Sequence, residues 1–93
     1  MITFPKAKIN LGLQILGKRE DGYHEIQTVM YPIGWKDALE INPSKENKFK
    51  LHGISLSLDG PSTCENIHEK MQQRYSIPNV EIHLTKGIPS GAG

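Results

Sequence analysis

Ninety-three residues with eleven basic and ten acidic side chains, a net charge of +1 and 37% hydrophobic residues describe at most one soluble globular domain. Charge this balanced excludes electrostatic wrapping of nucleic acid or of an anionic membrane. No run approaches the roughly 18 apolar residues of a membrane span, and MITFPKAKIN lacks the apolar core of a signal peptide. The single cysteine, Cys64, allows no internal disulfide, so a cytoplasmic protein without nucleic-acid or membrane partners is expected.

The chain opens in strand rhythm. The odd positions Ala7, Ile9, Leu11, Leu13 and Ile15 are apolar, whereas Lys6, Lys8, Asn10, Gly12 and Gln14 stand between them. Period-two alternation predicts a strand with one apolar and one polar face. Gly17 to Gly22 reads as a polar turn, and its Asp21-Gly22 pair suits a tight reversal. The next run, Tyr23 to Ile33, is β-branched and aromatic but alternates poorly, as a strand packed on both faces or carrying a bulge would. Ala38 to Asn42 alternates again with Leu39 and Ile41 inward, Pro43 to Asn47 turns, and Lys48 to His52 places Phe49 and Leu51 inward. Ile54, Leu56 and Leu58 line one side of a further short strand, ended by Asp59-Gly60-Pro61.

Ser62 and Glu65 have capping-box spacing and predict a helix that runs to about Tyr75, before Ser76-Ile77-Pro78 stops it. Its apolar stripe is Cys64, Ile67, Met71 and Tyr75. Val80, Ile82 and Leu84 make a last alternating strand that delivers the chain to a Gly/Pro-rich loop, KGIPSGAG. Strands, one helix, a strand and a glycine-rich loop are an α+β pattern.

Three places can carry chemistry. Lys8 and Asn10 project from the face opposite the apolar set of the first strand. They are either solvated outer residues or the lining of a cleft, where an ammonium stabilises developing negative charge. Tyr23 and His24 are either a strand-edge aromatic and a surface imidazole or a pair that stacks on a nucleobase and reads its edge. KGIPSGAG fits neither the P-loop nor the dinucleotide-binding spacing; it is either an ordinary turn or the first half of a phosphate-binding loop. His24, His52, His68 and His83 show no metal-ligand spacing with one another or with Cys64, and His52 and His83 fall on the polar sides of strands as expected surface residues.

Together three segments resemble the opening of the 4-diphosphocytidyl-2-C-methyl-D-erythritol kinases, small-molecule kinases of the GHMP superfamily. The segments are Pro5-Lys6-Ala7-Lys8-Ile9-Asn10-Leu11, then Gly17-Lys18-Arg19-Glu20-Asp21-Gly22-Tyr23-His24, then Val80 to Leu84 running into Lys86 to Gly93. The resemblance implies that residues 1–93 are part of the α+β N-terminal domain of such a kinase, ending inside its ATP phosphate loop. It implies transfer of the ATP γ-phosphoryl group to the 2-hydroxyl of diphosphocytidyl-methylerythritol, with Mg²⁺ in the complete enzyme and no metal held by these residues. Lys8 is then the catalytic lysine, and Asn10, Tyr23 and His24 are substrate-binding. Asn66 and Lys86 lie near the adenine, and Pro89, Ser90, Gly91, Ala92 and Gly93 lead into the phosphate loop.

Two departures stand beside the resemblance. Asn66 to Pro78 is about one helical turn shorter than in the family. The family's general-base Asp and the second half of its loop lie outside these residues. The 93 residues alone are therefore expected to be inactive, and to self-associate or to pair with the remainder of a longer chain. The alternative is a non-catalytic α+β module that binds a cytidine nucleotide or itself.

Overall fold

The structure is a computed structural model that describes residues 1–54 and 62–89. It comprises β1 (Ile2–Thr3), β2 (Lys6–Lys18), β3 (His24–Lys36), β4 (Ala38–Pro43), β5 (Lys48–Gly53), α1 (Thr63–Arg74) and β6 (Val80–Lys86). Of the short strand expected from Ile54 to Leu58, Ile54 follows the end of β5, and Leu56 and Leu58 lie outside the described residues.

β2 and β3 form a long antiparallel hairpin. Its turn is closed by Arg19 and Gly22, whose amides donate to Tyr23 O and Arg19 O, and Gly22 supplies a φ of 86° that a side chain would resist. The hairpin departs from one-to-one pairing at three places. At its base, between the pairs Lys6–Lys36 and Lys8–Pro32, the extra residues are on β3. Leu11 pairs with Val29 and Leu13 with Thr28, which leaves Gly12, at φ 73°, as an extra residue. Leu16 is a second one, between the pairs Ile15–Ile26 and Gly17–Glu25. Each of these two β2 bulges shifts the alternation by one residue, so the clean division into an apolar and a polar face fails beyond Leu11. Because β3 runs from His24 to Pro32 without insertion, its even residues share one face. Their partners Lys18, Ile15, Leu13, Asn10 and Lys8 share that face with them.

The other strands make a four-stranded sheet in the order β1-β4-β6-β5. β6 runs antiparallel to β4 and parallel to β5, and α1 stands between β5 and β6 in the chain, as a parallel pair requires. The register places Leu39, Ile41, Ile82, Leu84, Phe49 and Leu51 on one face. Glu40, Lys50, Glu81 and His83 occupy the other. On that polar face His52 Nε2 and His83 Nδ1 lie 3.2 Å apart with near-parallel rings. Glu81 accepts from His83 and from Lys50, and the Lys50 bond holds its carboxyl below the usual range. The two histidines expected as independent surface residues are thus a hydrogen-bonded pair.

The capping box forms as the spacing implies: Ser62 Oγ accepts from Glu65 N at 3.2 Å, and Ser62 N donates to Glu65 Oε2 at 2.8 Å. The helix turns a polar side to the sheet, however. Gln72 bonds Asn47, Pro78 O and Asn79, tying the helix to the β4–β5 turn and to the start of β6. Ile67, Met71 and Tyr75 remain exposed, and the apolar stripe does not pack on the sheet. Between α1 and the sheet lies a cleft of about 330 Å³ bordered by Phe49, Ile82, His68 and Gln72. Among the described residues the buried apolar core is small: Ala7, Ile82 and Ile88. Leu13, Ile15, Val29 and Tyr31 are each more than half exposed, so the hairpin is not packed on either face.

Candidate functional site

The hairpin base, the β3–β4 crossing and the end of β6 meet at one place. Ala7 is 1% exposed there, and Lys8 beside it is half-buried, opposite Pro32. Asn10 follows on the same face opposite Met30 and is exposed. Lys8 enters no ion pair among the described residues. A half-buried lysine without a counter-charge is a ready partner for an anion.

Tyr23 and His24 sit at the opposite end of the hairpin. Tyr23 is 73% exposed, with its amide held by Asp21 Oδ1 at 3.1 Å, and an Arg19–Asp21 ion pair of 2.9 Å braces the turn. His24 pairs with Lys18 and shares the Lys8 face through the register. Eight residues of β3 separate His24 from Pro32, the partner of Lys8, roughly 27 Å along the strand path. The register therefore brings Lys8 and Asn10 together and sets His24 far along the same face, with Tyr23 in the turn just before it.

Where β6 ends, Asp37 is the organising group. It is 8% exposed and stands between β3 and β4, with its amide donating to Pro5 O at 3.0 Å. Its Oδ1 accepts from Gly87 N at 2.7 Å and from Ile88 N at 2.8 Å, and its Oδ2 accepts from Lys86 Nζ. Burial alone would raise the Asp37 carboxyl, but the Lys86 bond and the two amides together hold it below its ordinary value. Lys86, expected near the adenine, is thus placed in an ion pair, with its side chain 13% exposed. The half-buried Cys64 lies nearby. Burial pushes its thiol up, with Lys86 opposing and Glu65 and Asp37 adding to the rise.

Of the other residues expected at an ATP site, Asn66 is in the first turn of α1, exposed, with its amide bonded to Ser62 O at 3.0 Å. Pro89 is exposed and follows the buried Ile88. Ser90, Gly91, Ala92 and Gly93 lie outside the described residues. Sequence reasoning did not find Asp37. Forty-nine residues separate it from Lys86, and an acid at a strand start carries no spacing signal. Among the described residues no three His, Cys, Asp or Glu side chains group closely enough to hold a metal ion, and no helix is long and apolar enough to cross a membrane.

This arrangement of hairpin, sheet and helix is similar to part of a solved small-molecule kinase. The crystal structure of a 4-(cytidine 5'-diphospho)-2C-methyl-D-erythritol kinase superposes with a TM-score of 0.63 at 31% identity, over 98% of this chain and 33% of that one. No family model matches the chain. In sequence, a 4-diphosphocytidyl-2-C-methyl-D-erythritol kinase of Bacteroides fragilis is 54% identical and one of Cytophaga hutchinsonii 48% identical, each over the whole of this chain. In sequence and in fold the chain is similar to 4-diphosphocytidyl-2-C-methyl-D-erythritol kinases, and it spans about a third of the length of the curated relatives it matches, 35% and 36% in those of Cytophaga hutchinsonii and Bacteroides fragilis.

Proposed function

We propose that this chain is the acceptor-binding part of an ATP-dependent kinase that phosphorylates the 2-hydroxyl of 4-diphosphocytidyl-2-C-methyl-D-erythritol, in the cytoplasm, on the non-mevalonate route to isoprenoids. The observation that carries the reading is similarity to these kinases along the entire chain, with Lys8 half-buried and without a counter-charge at the hairpin base. Lys8 would face the attacking hydroxyl and stabilise the negative charge that develops as its proton leaves. Asn10, two residues on along the same face, would orient that hydroxyl. Tyr23 and His24 would hold the cytosine, one by stacking and the other by hydrogen bonds to the base edge. Asn66 and Lys86 would border the adenine, and Pro89 through Gly93 would lead the backbone to the phosphates.

Mg²⁺ would accompany the nucleotide, but the described residues do not fit a metal site of their own: Asp37, the buried carboxylate, is already bonded to Lys86, Gly87 and Ile88. No carboxylate pairs with Lys8 among the described residues, and the 93 residues alone are expected not to turn over.

The test is ADP release by the full-length protein with ATP and the diphosphocytidyl alcohol together. Release that requires both supports the reading; release indifferent to the alcohol refutes the substrate. The exposed hairpin also favours a second reading, in which the chain is a non-catalytic module that binds a cytidine nucleotide or a second copy of itself. Binding of a cytidine diphosphate without any affinity for ATP would select that reading. Sedimentation as a monomer at high concentration would exclude its self-associating form.

A further inference from the structure

One carboxylate fixes the three consecutive residues from which the Gly/Pro loop departs. Asp37 holds the Lys86 side chain and the amides of Gly87 and Ile88, and its own amide is anchored on Pro5, three residues before Lys8. The backbones are in contact at this point: a Cβ on Gly87 would stand 2.8 Å from Lys36 O. On the neighbouring strand Gly53 is closer still, since a Cβ there would collide with Lys86 O, and Ile54 N donates to that same oxygen at 3.0 Å. The end of β6 is therefore clamped from both sides, by Asp37 through hydrogen bonds and by Gly53 through close approach.

We infer that Asp37 is a positioning residue of the nucleotide site: by holding Lys86, Gly87 and Ile88 it sets the direction in which the chain leaves the sheet toward the phosphates. The inference rests on the proposed reading that the loop after β6 serves ATP. The amides of Gly87 and Ile88 are turned to the carboxylate, and Pro89 has no N–H. These two amides are therefore not open to a phosphate, and Asp37 acts on the nucleotide site only through the backbone it holds. An Asn at this place keeps the size and one acceptor oxygen but turns an NH₂ group toward the Lys86 ammonium, so the clamp loosens without a cavity.

The experiment compares the full-length wild-type protein with Asp37→Asn and, as a second variant, Asp37→Ser, measuring Kd for ATP and for the diphosphocytidyl alcohol on the same samples. ATP binding is expected to weaken at least tenfold in either variant that folds, while alcohol binding stays within twofold. Unchanged ATP affinity, or equal weakening of both ligands, overturns the positioning role, the latter marking a general structural one. A wild-type protein that does not bind ATP overturns the kinase reading and the inference together. A wild type that binds ATP but not the alcohol overturns only the substrate assignment, and the ATP arm still decides on Asp37.

Discussion

Replacing Asp37 by Ala strips two amide donors and one ammonium of their shared acceptor in a place where Asp37 itself is 8% exposed. A buried donor left without a partner costs about 1–3 kcal/mol, and breaking a buried ion pair by removing one member costs about 3–5 kcal/mol. These terms overlap because they share one carboxylate, so a total of about 3–5 kcal/mol is expected for Asp37→Ala. Asp37→Asn, which retains an acceptor oxygen, should lose about half of that. The pH dependence has a definite sign. The folded carboxyl lies below its ordinary value of 3.8, so its contribution is fully present above that value and is lost as pH falls through the lower folded one. Denaturant unfolding of wild type and Asp37→Asn should show a stability gap that is flat from pH 7 to about 5 and narrows below about 4. A gap that widens toward acid, or an Asp37→Ala loss under about 0.5 kcal/mol, would refute the assignment of Asp37 as the clamp.

Gly53→Ala forces φ 89° on a residue with a Cβ and drives that atom onto Lys86 O, so a loss of about 2–4 kcal/mol is expected in the same unfolding assay. Gly12→Ala meets the same backbone difficulty at φ 73° but open space, and should cost only about 1 kcal/mol; equal losses at the two glycines would contradict the close approach at Gly53. Ser62→Ala removes the side-chain half of the capping box and should lower stability by about 1 kcal/mol, with a matching drop in helical circular dichroism on mild heating; no change would mean that the cap is not formed in solution.

Much of the architecture was legible because it rests on local signals. The Ser62–Glu65 box marked the start of α1, and Leu39, Ile41, Phe49, Leu51, Ile82 and Leu84 alternate because one face of the sheet is apolar. The bulges were not legible: Gly12 interrupts a run that still alternates in sequence, and only the register against Thr28 and Val29 shows the faces exchanging beyond it. The helix stripe misled for a different reason. Gln72 finds amide partners at Asn47 and Asn79, and these bonds turn Ile67 and Met71 away from the sheet. That Lys8 and Asn10 share a face was legible from period-two spacing, because no bulge falls between them. Asp37 was not, since its role depends on a contact with Lys86 made only by tertiary structure.

The central claim is that Lys8 serves phosphoryl transfer to an alcohol, and the most direct measurement is single-turnover ADP formation by full-length wild type and Lys8→Ala, each saturated with ATP and the diphosphocytidyl alcohol. The account predicts a chemical step slowed well over tenfold, with both ligands still bound. An unchanged rate at saturation would contradict it and return Lys8 to an ordinary strand residue.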